Sequence, residues 1–157
     1  MKEYAGFWLR FVAYIIDYIL IWVVQAFVAI PILAMVGISF ASNMGNMESM
    51  NEGEIMGMLA GMFAAAGATM LLTTVLVVLY FTFMESSKYQ ATVGKLALGL
   101  VVTDENGNKL DVVKALVRNL CKIISSMILM IGYLMVGFTE KKQGLHDIIA
   151  KTLVVKK

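Results

Sequence analysis

Two long apolar runs constrain this chain more than any other feature of its sequence. The first extends from about Gly6 to Phe40, and its best spanning stretch, Phe11 to Ile30, has the roughly 20 residues that a helix needs to cross a bilayer. The second, Ile55 to Met84, is apolar throughout and long enough to cross with tilt. Hydrophobic residues make up 60% of the chain and charged residues 15%, unlike a soluble domain. The pattern predicts an all-α integral membrane protein.

We expect one membrane domain over residues 1–157, divided by alternating apolar and polar stretches. The expected segments are a first transmembrane helix at about 7–36, an outside loop at 41–54, a second transmembrane helix at about 55–84, a cytoplasmic loop and β element at 85–110, an amphipathic helix at 111–122, a third hydrophobic segment at 123–138 and a cytoplasmic tail at 139–157. Pro31 removes a backbone donor, so the first helix is expected to kink or end there.

Short β-branched runs and one turn signal predict a small β element on the cytoplasmic side. Leu98 to Thr103 has the character of a short strand, and Asn106-Gly107 is typical of a turn. Thr152 to Val155 is a second such run in the tail. We expect it to pair with Leu100 to Thr103 if the tail lies on the same side of the membrane.

The helix predicted at 111–122 separates its side chains into two faces. Its apolar face carries Val112, Val113, Leu116, Leu120 and Ile123, and its basic face carries Lys114, Arg118 and Lys122. Basic amphipathic helices of this kind tend to lie in the headgroup plane. We therefore expect this helix to lie on the membrane surface.

The distribution of basic residues predicts the orientation of the chain. None of the 13 lysines and arginines falls in the 41–54 loop, so the positive-inside rule places the amino end, the middle region and the tail in the cytoplasm. The third hydrophobic segment is short for a complete span. A re-entrant or interfacial segment with both ends cytoplasmic is favoured, and a simple three-span topology stays open.

Several classes of function are not supported by the sequence. A net charge of +2 without a basic, aromatic-interleaved surface does not indicate nucleic-acid binding. The single cysteine, Cys121, has no second cysteine for an internal disulfide, and no motif indicates a metal or a cofactor. No P-loop, HExxH or dinucleotide fingerprint is present, and no serine lies in a G-x-S-x-G turn, so we expect no enzyme.

Asp17 is the most informative charge, because it lies inside the first apolar run. A carboxylate at the centre of a membrane helix costs about 2.5–3.5 kcal/mol on insertion scales, so it must be protonated, paired or in contact with water. One interpretation is that Asp17 exchanges a proton or a small cation. The other is that it locks helix packing through hydrogen bonds, for example to Tyr14, Thr73 or Thr74.

Three further features accompany Asp17. Arg10 lies on nearly the same helix face, but its side chain leans toward the amino end, so we expect it to pair with Asp147 in the tail rather than with Asp17. His146 is interpreted as a solvated group able to titrate near neutral pH. Gly57 and Gly61 form a GxxxG pattern that permits close helix contact, although glycine is also simply common in such helices.

The motifs together resemble the RDD family of membrane proteins. The resemblance lies in GFWLRFVAYIIDYIL, QATVGKLALGLVVTDENGNKL, LVRNL and QGLHDIIAKTLVV, which occur in the family's order and cover essentially the whole chain. It places the family's arginine on Arg10 and its aspartates on Asp17 and Asp147. It places a glycine-lysine motif on Thr92, Gly94 and Lys95, with Val93 where many members have proline, and adds Arg118 of LVRNL as a supporting residue.

The resemblance implies a membrane domain for which ligand transport, and sodium/proton exchange in some members, has been proposed. We therefore expect an ion or small-solute transporter, with a proton or monovalent cation as ligand, that forms a homo-oligomer because so few spans cannot enclose a pathway. The alternative is a non-transporting scaffold or assembly factor. In that case the Arg and Asp network fixes helix packing, and the cytoplasmic element from Lys95 to Asp111 binds a partner.

Overall fold

The computed structural model describes residues 3–45, 50–127 and 131–157. The chain divides into two compact units, one formed by Met1–Leu20 and Val77–Lys157 and the other by Ile21–Leu76. In chain order the described elements are α1 (Phe7–Met44), α2 (Glu52–Ser86), α3 (Val93–Ala97), β1 (Leu100–Asp104), α4 (Val112–Met127), α5 (Ile131–Leu134), a 3-10 turn (Met135–Gly137), α6 (Leu145–Ile149) and β2 (Thr152–Lys156). The protein is mostly helical, as predicted.

The unit formed by Ile21–Leu76 contains α1 from Ile21 to its carboxyl end and most of α2. Pro31 lies inside α1 and does not end it, and the helix extends to Met44, well beyond its expected end at about residue 36. At the start of α2, the Asn51 side chain accepts a hydrogen bond from the Glu54 amide and Glu54 accepts one from the Asn51 amide, each at 2.9 Å. This reciprocal cap starts the helix early. The expected 41–54 loop is therefore helical at both ends, and its residues 46–49 lie outside the described part.

Within the described ranges, two helices are long and apolar enough to cross a membrane, namely α1 and α2. The described part of the third hydrophobic segment, 123–138, is divided among the end of α4, the short α5 and the 3-10 turn. Residues 128–130 of that segment lie outside the described part. Its re-entrant course therefore stays a prediction.

The unit formed by Met1–Leu20 and Val77–Lys157 is built around a two-stranded antiparallel sheet. Strand β1 pairs with β2 so that Thr103 lies opposite Leu153, which confirms the predicted pairing of the two β-branched runs. The amino-terminal segment extends the sheet, because the Ala5 amide donates to the Val154 carbonyl at 2.9 Å. This unit contains the apolar core, whose buried members are Ala5, Ala13, Leu100, Val102, Leu110, Ala115 and Val154.

Two short features between α2 and α4 bring polar groups to this core. Helix α3 lies within the stretch that was expected to be loop and strand. It has only five residues, and its sequence contains no pattern that predicts a helix. The Asn106-Gly107 turn forms as predicted, with Gly107 at φ +89° and the Asp104 side chain accepting from the Asn108 amide at 2.7 Å. Helix α4 then begins directly after Asp111.

Candidate functional site

Asp17 is buried and is bound by hydrogen-bond donors from other elements. Its Oδ1 accepts from the Tyr80 hydroxyl at 3.0 Å and from the Gly94 amide at 2.8 Å, and its Oδ2 accepts from the Thr92 hydroxyl. The Tyr80 oxygen in turn accepts from the Val93 amide at 3.2 Å. Asp17 therefore connects α1 to the end of α2 and to the first turn of α3.

Gly94 permits this arrangement because α3 lies very close to α1. A Cβ atom added at Gly94 would fall well inside van der Waals contact of the Ala13 carbonyl oxygen and 3.0 Å from Asp17 Cγ. The Ala13 oxygen belongs to helical backbone and has little freedom to move. Glycine is therefore required here for steric reasons, which explains why a glycine-lysine motif occurs at this point.

The partners of Asp17 differ from those expected. The hydroxyls of Thr73 and Thr74 donate to carbonyls of their own helix. The Tyr14 ring is half exposed and stacks on Tyr18, with the ring centroids 6.0 Å apart. Tyr14 is therefore not one of the groups that bind Asp17. Sequence spacing identified hydroxyl groups as suitable partners but could not show that the loop after α2 folds back onto α1.

Asp147 is fully buried and binds two arginines. It forms an ion pair with Arg10, as expected, and its Oδ1 lies 2.8 Å from both Nε and Nη2 of Arg118. Asp147 lies in the first turn of α6, and its Oδ2 accepts a hydrogen bond from the amide of Gly144, the residue before that helix, at 3.2 Å. These guanidinium groups outweigh the effect of burial and hold the pKa of Asp147 well below its usual range.

Arg10 also anchors the backbone around it. Its Nε donates to the Ala5 carbonyl at 3.0 Å, and its Nη2 donates to the Lys142 carbonyl at 2.6 Å. The guanidinium therefore connects the start of α1 to the amino-terminal segment and to the loop before α6. No contact joins Arg10 to Asp17 in the part of the chain that the structure describes.

Glu85 is the residue that the sequence reasoning missed. It lies in the last turn of α2, is fully buried, and forms an ion pair with Lys95. Its carboxylate also lies 2.6 Å from Arg118 Nη1, a close ion contact without hydrogen-bond geometry, and 3.3 Å from Lys122 Nζ. An acidic residue at a helix carboxyl end opposes the helix dipole. That position, directly after an apolar run, was the available signal.

These groups form one assembly, which we call the charge cluster: Arg10, Glu85, Lys95, Arg118, Lys122 and Asp147. Its members are buried except for Arg10 and Lys122, whose side chains are 12% and 18% exposed. Arg118 contacts both carboxylates, and together they outweigh its burial and raise its pKa. The cluster contains four basic side chains and two carboxylates, so its positive charge is not balanced from within. Lys122 has the longest ion contact of the cluster, 3.3 Å to the Glu85 Oε1 that it shares with Lys95, and it also binds Asn119 Oδ1 at 2.6 Å.

Burial lowers the pKa of both lysines of the charge cluster, Lys95 and Lys122. Burial lowers the pKa of Lys95, against the opposing attraction of Glu85. Burial lowers the pKa of Lys122 to about 7, and the neighbouring charges of Lys95 and Arg118 contribute to the shift. Lys122 therefore has a proton that it can lose near neutral pH.

His146 is buried, and the expectation of a solvated group that titrates near neutral pH is wrong. Its ring lies against Tyr133, with centroids 5.0 Å apart, and its Nε2 is 3.5 Å from Asp147 Oδ1. Burial is the main cause that lowers the pKa of His146 to about 3. The imidazole is neutral at physiological pH and belongs to the packing of α6.

The amphipathic helix predicted at 111–122 forms as part of α4. The side chains directed into the protein are mainly polar and include Arg118, Asn119 and Ser125, whereas the aliphatic side chains are exposed. On the predicted basic face, Arg118 is buried against Glu85 and Asp147, Lys122 contacts Glu85 and is partly buried, and Lys114 is exposed. Sequence periodicity identified the two faces correctly but could not show which one contacts the rest of the chain.

The predicted glycine face lies in the other unit. Among the described residues, a Cβ atom added at Gly57 or Gly61 would have no heavy atom within 4 Å apart from the neighbouring backbone of its own helix. Gly61 also lines a cavity of about 470 Å³ whose other walls include Met35, Met58 and Met62. The described contacts within the chain therefore leave both glycines uncovered, and their role as a contact between copies stays a prediction.

Comparison with known proteins agrees with the motifs. The RDD family model matches residues 4–151. "Uncharacterized protein YxaI" of Bacillus subtilis (strain 168) is 40% identical over 100% of both chains. "Uncharacterized membrane protein YteJ" of the same organism is 29% identical over 97% of this chain and 80% of its own. No solved structure matches the chain. Since the family match includes Arg10, Asp17 and Asp147, and since two helices are long enough to cross a membrane, the chain is a membrane protein and belongs to the RDD family.

Proposed function

We propose that this protein moves an ion or small solute across the membrane, with proton exchange at the charge cluster. The observation that supports the proposal best is the position of Lys122, a fourth cation beside only two buried carboxylates. Buried charges are costly unless they are paired, and a cluster of buried ionisable groups with perturbed pKa values is a candidate functional site. A monovalent cation moved in exchange for the proton would keep the net charge transfer low.

The chemistry of the cluster supports a reversible proton site. Glu85 Oε1 accepts hydrogen bonds from the ammonium groups of both Lys95 and Lys122. When Lys122 loses its proton, Glu85 keeps Lys95 and Arg118 as counter-charges, so the carboxylate stays compensated. The groups around Lys122 are Glu85 from α2, Lys95 from α3, Arg118 from its own helix and Asp147 from α6. With its pKa lowered by burial to about 7, Lys122 changes charge within the physiological range.

Asp17 has a positioning role in this proposal. Three donors already occupy its two oxygens, which leaves little capacity for a cation. We assign to Asp17 the placement of α3, whose Lys95 reaches into the charge cluster. The earlier assignment of ion binding to Asp17 therefore passes to the Glu85 and Lys122 pair.

The proposal includes a topology and an assembly. Both termini and the β element lie in the cytoplasm, the stretch at 41–54 lies outside, and segment 123–138 returns to the side from which it entered. Two spanning helices do not enclose a pathway, so the active form is a homo-oligomer in contact with the bilayer. The exposed glycines at 57 and 61 provide the close helix contact.

Vesicles containing the purified protein test the proposal. A sodium or potassium gradient is expected to drive proton movement, read by an internal pH-sensitive dye. Lys122→Met is expected to abolish this movement, and Lys114→Met, an exposed lysine of the same helix, is expected to retain it. If the wild type moves no ion, the transport proposal is wrong. If Lys122→Met moves as much as Lys114→Met, the role assigned to Lys122 is wrong.

The second candidate is a non-transporting scaffold, and the hydrogen bonding of Asp17 favours it. A carboxylate bound by three protein donors is typical of a packing site. The element from Lys95 to Asp111 is then the surface that binds a partner. Asp17→Asn separates the two candidates: loss of folding together with inactive wild-type vesicles supports the scaffold, whereas wild-type ion movement excludes a purely structural protein.

A further inference from the structure

One face of α4 carries a continuous set of exposed aliphatic side chains, and the exposed Lys114 lies off this face. We call it the α4 outer face and define it by Val112, Val113, Leu116, Val117, Leu120 and Ile124, all of which are substantially exposed. At about 100° per residue these positions fall within one half of the helix circumference. The buried positions Ala115, Arg118, Asn119, Cys121 and Ser125 fall within the other half. The helix therefore has a sharply defined apolar surface with no cover from the described part of the chain.

The rotation of α4 about its axis is determined by the charge cluster. Arg118 contacts Glu85 and Asp147 at the same time, and Lys122 contacts Glu85. Turning the helix to bury its aliphatic side would separate these ion pairs and leave Glu85 with Lys95 alone and Asp147 with Arg10 alone, and the loss of partners from a buried charge is strongly unfavourable. The ion pairs of Arg118 and Lys122 therefore determine that the outer face is directed away from the rest of the described chain.

The surroundings of α4 identify what covers this face. Glu85 lies in the last turn of α2, so the contacts of Arg118 and Lys122 place α4 beside the end of a membrane-spanning helix. Other large apolar side chains near the ends of the spanning helices are also exposed, among them Trp8, Phe11 and Phe83. The α4 outer face thus lies beside the end of a helix long and apolar enough to cross a membrane, in a unit that exposes other large apolar side chains.

We propose that the α4 outer face is embedded among the acyl chains of the membrane, with the charge cluster sheltered beneath the helix. Its composition fits lipid better than a second protein. Protein interfaces are enriched in aromatic residues, Met and Arg, whereas this face contains only Val, Leu and Ile. An ordinary interfacial helix directs its basic residues to the headgroups; in α4 the buried basic residues are directed to the protein's own carboxylates.

Site-directed fluorescence in vesicles of phosphatidylcholine and phosphatidylglycerol tests the embedding. Single cysteines at Val113 and Leu120, in a Cys121→Ala background, are labelled with an environment-sensitive dye, and Lys109→Cys provides the exposed control that precedes the helix. Both face positions are expected to be quenched by brominated lipid and to show a several-fold lower quenching constant for aqueous iodide than the control. Iodide access equal to that of the control would overturn the proposal. So would shielding from both quenchers that disappears on dilution, since a second copy would then cover the face.

A measurement on the unmodified protein guards against variants that fail to fold. A carbene probe dissolved in the lipid phase is activated by light, and the attached label is located by peptide mass spectrometry. Label on residues 112–120 at a level comparable to that on α2 is the expected result. Label confined to α1 and α2 would overturn the proposal.

Discussion

Replacing Gly94 by alanine is the sharpest test of the contact between α1 and α3. The added methyl group meets the Ala13 carbonyl oxygen well inside van der Waals distance and lies 3.0 Å from Asp17 Cγ. Because Ala13 O is helical backbone, the obstacle cannot rotate away. Helix α3 must move outward, and the hydrogen bond from the Gly94 amide to Asp17, now 2.8 Å, lengthens or breaks.

Two costs determine the size of the effect. Overpacking at a rigid site costs about 1–3 kcal/mol, and a hydrogen bond to a charged group contributes about 1.5–3 kcal/mol. The replacement of glycine in a helix returns about 0.5–1 kcal/mol. We therefore expect Gly94→Ala to lower the free energy of unfolding by about 2–5 kcal/mol, opposite in sign to the helix-propensity effect alone.

Unfolding in detergent by titration with sodium dodecyl sulfate, followed by circular dichroism, measures this difference. Gly67→Ala is the matched control, because a Cβ atom there has open space around it and the residue also lies within a helix. The control is expected to lose no stability. Equal stability of Gly94→Ala and Gly67→Ala would refute the close approach of α3 to α1.

Three further predictions concern single buried groups. Thr92→Val removes a donor to Asp17 and should cost about 1.5–3 kcal/mol in the same unfolding assay, whereas Thr103→Val, whose buried hydroxyl has no hydrogen-bond partner among the described residues, should be neutral or stabilising. Because the pKa of folded Lys122 is about 7 and that of the unfolded lysine about 10.4, the unfolded state holds the extra proton between these values. The free energy of unfolding should therefore rise with pH in that window, and a rise that persists unchanged in Lys122→Met would contradict the assignment. The free energy of unfolding should also rise with pH between the folded pKa of His146, about 3, and its unfolded value of about 6.5, because the unfolded state again holds the extra proton. His146→Phe should reduce that slope.

The two sites that the family motifs define have different chemistry. Asp17 is bound by neutral donors, two hydroxyls and one amide, and its role is to place α3. Asp147 is bound by two guanidinium groups and belongs to the charge cluster. The arginine and the two aspartates are therefore not one triad. They anchor the two ends of a network in which α3 and its Lys95 form the link.

Local patterns were sufficient for much of the architecture. The apolar runs predicted both long helices, the β-branched runs predicted the pairing of β1 with β2, and the Asn106-Gly107 turn formed as expected. The pairing of Arg10 with Asp147 followed from charge and from the expected side of the membrane. These features depend on hydrophobicity, backbone preference and net charge, which are properties of short stretches of sequence.

Other features required contacts between distant residues. Helix α1 continues through Pro31, and Asn51 with Glu54 starts α2 early, because helix ends depend on caps and neighbours as well as on hydrophobicity. The burial of His146 was not predictable from its polar neighbours in the sequence. In each case the free energy depends on what packs against the residue, and a single stretch of sequence does not contain that information.

By itself, the sequence determined that the chain is a membrane protein with two long apolar helices, that Arg10, Asp17 and Asp147 are its informative charges, and that α4 has two chemically distinct faces. Only the tertiary structure decided which face of α4 is buried and which groups bind Asp17. The physical reason lies at Glu85: once that carboxylate is buried at the end of α2, it must be compensated, and the basic side of α4 together with Lys95 turns inward to do so.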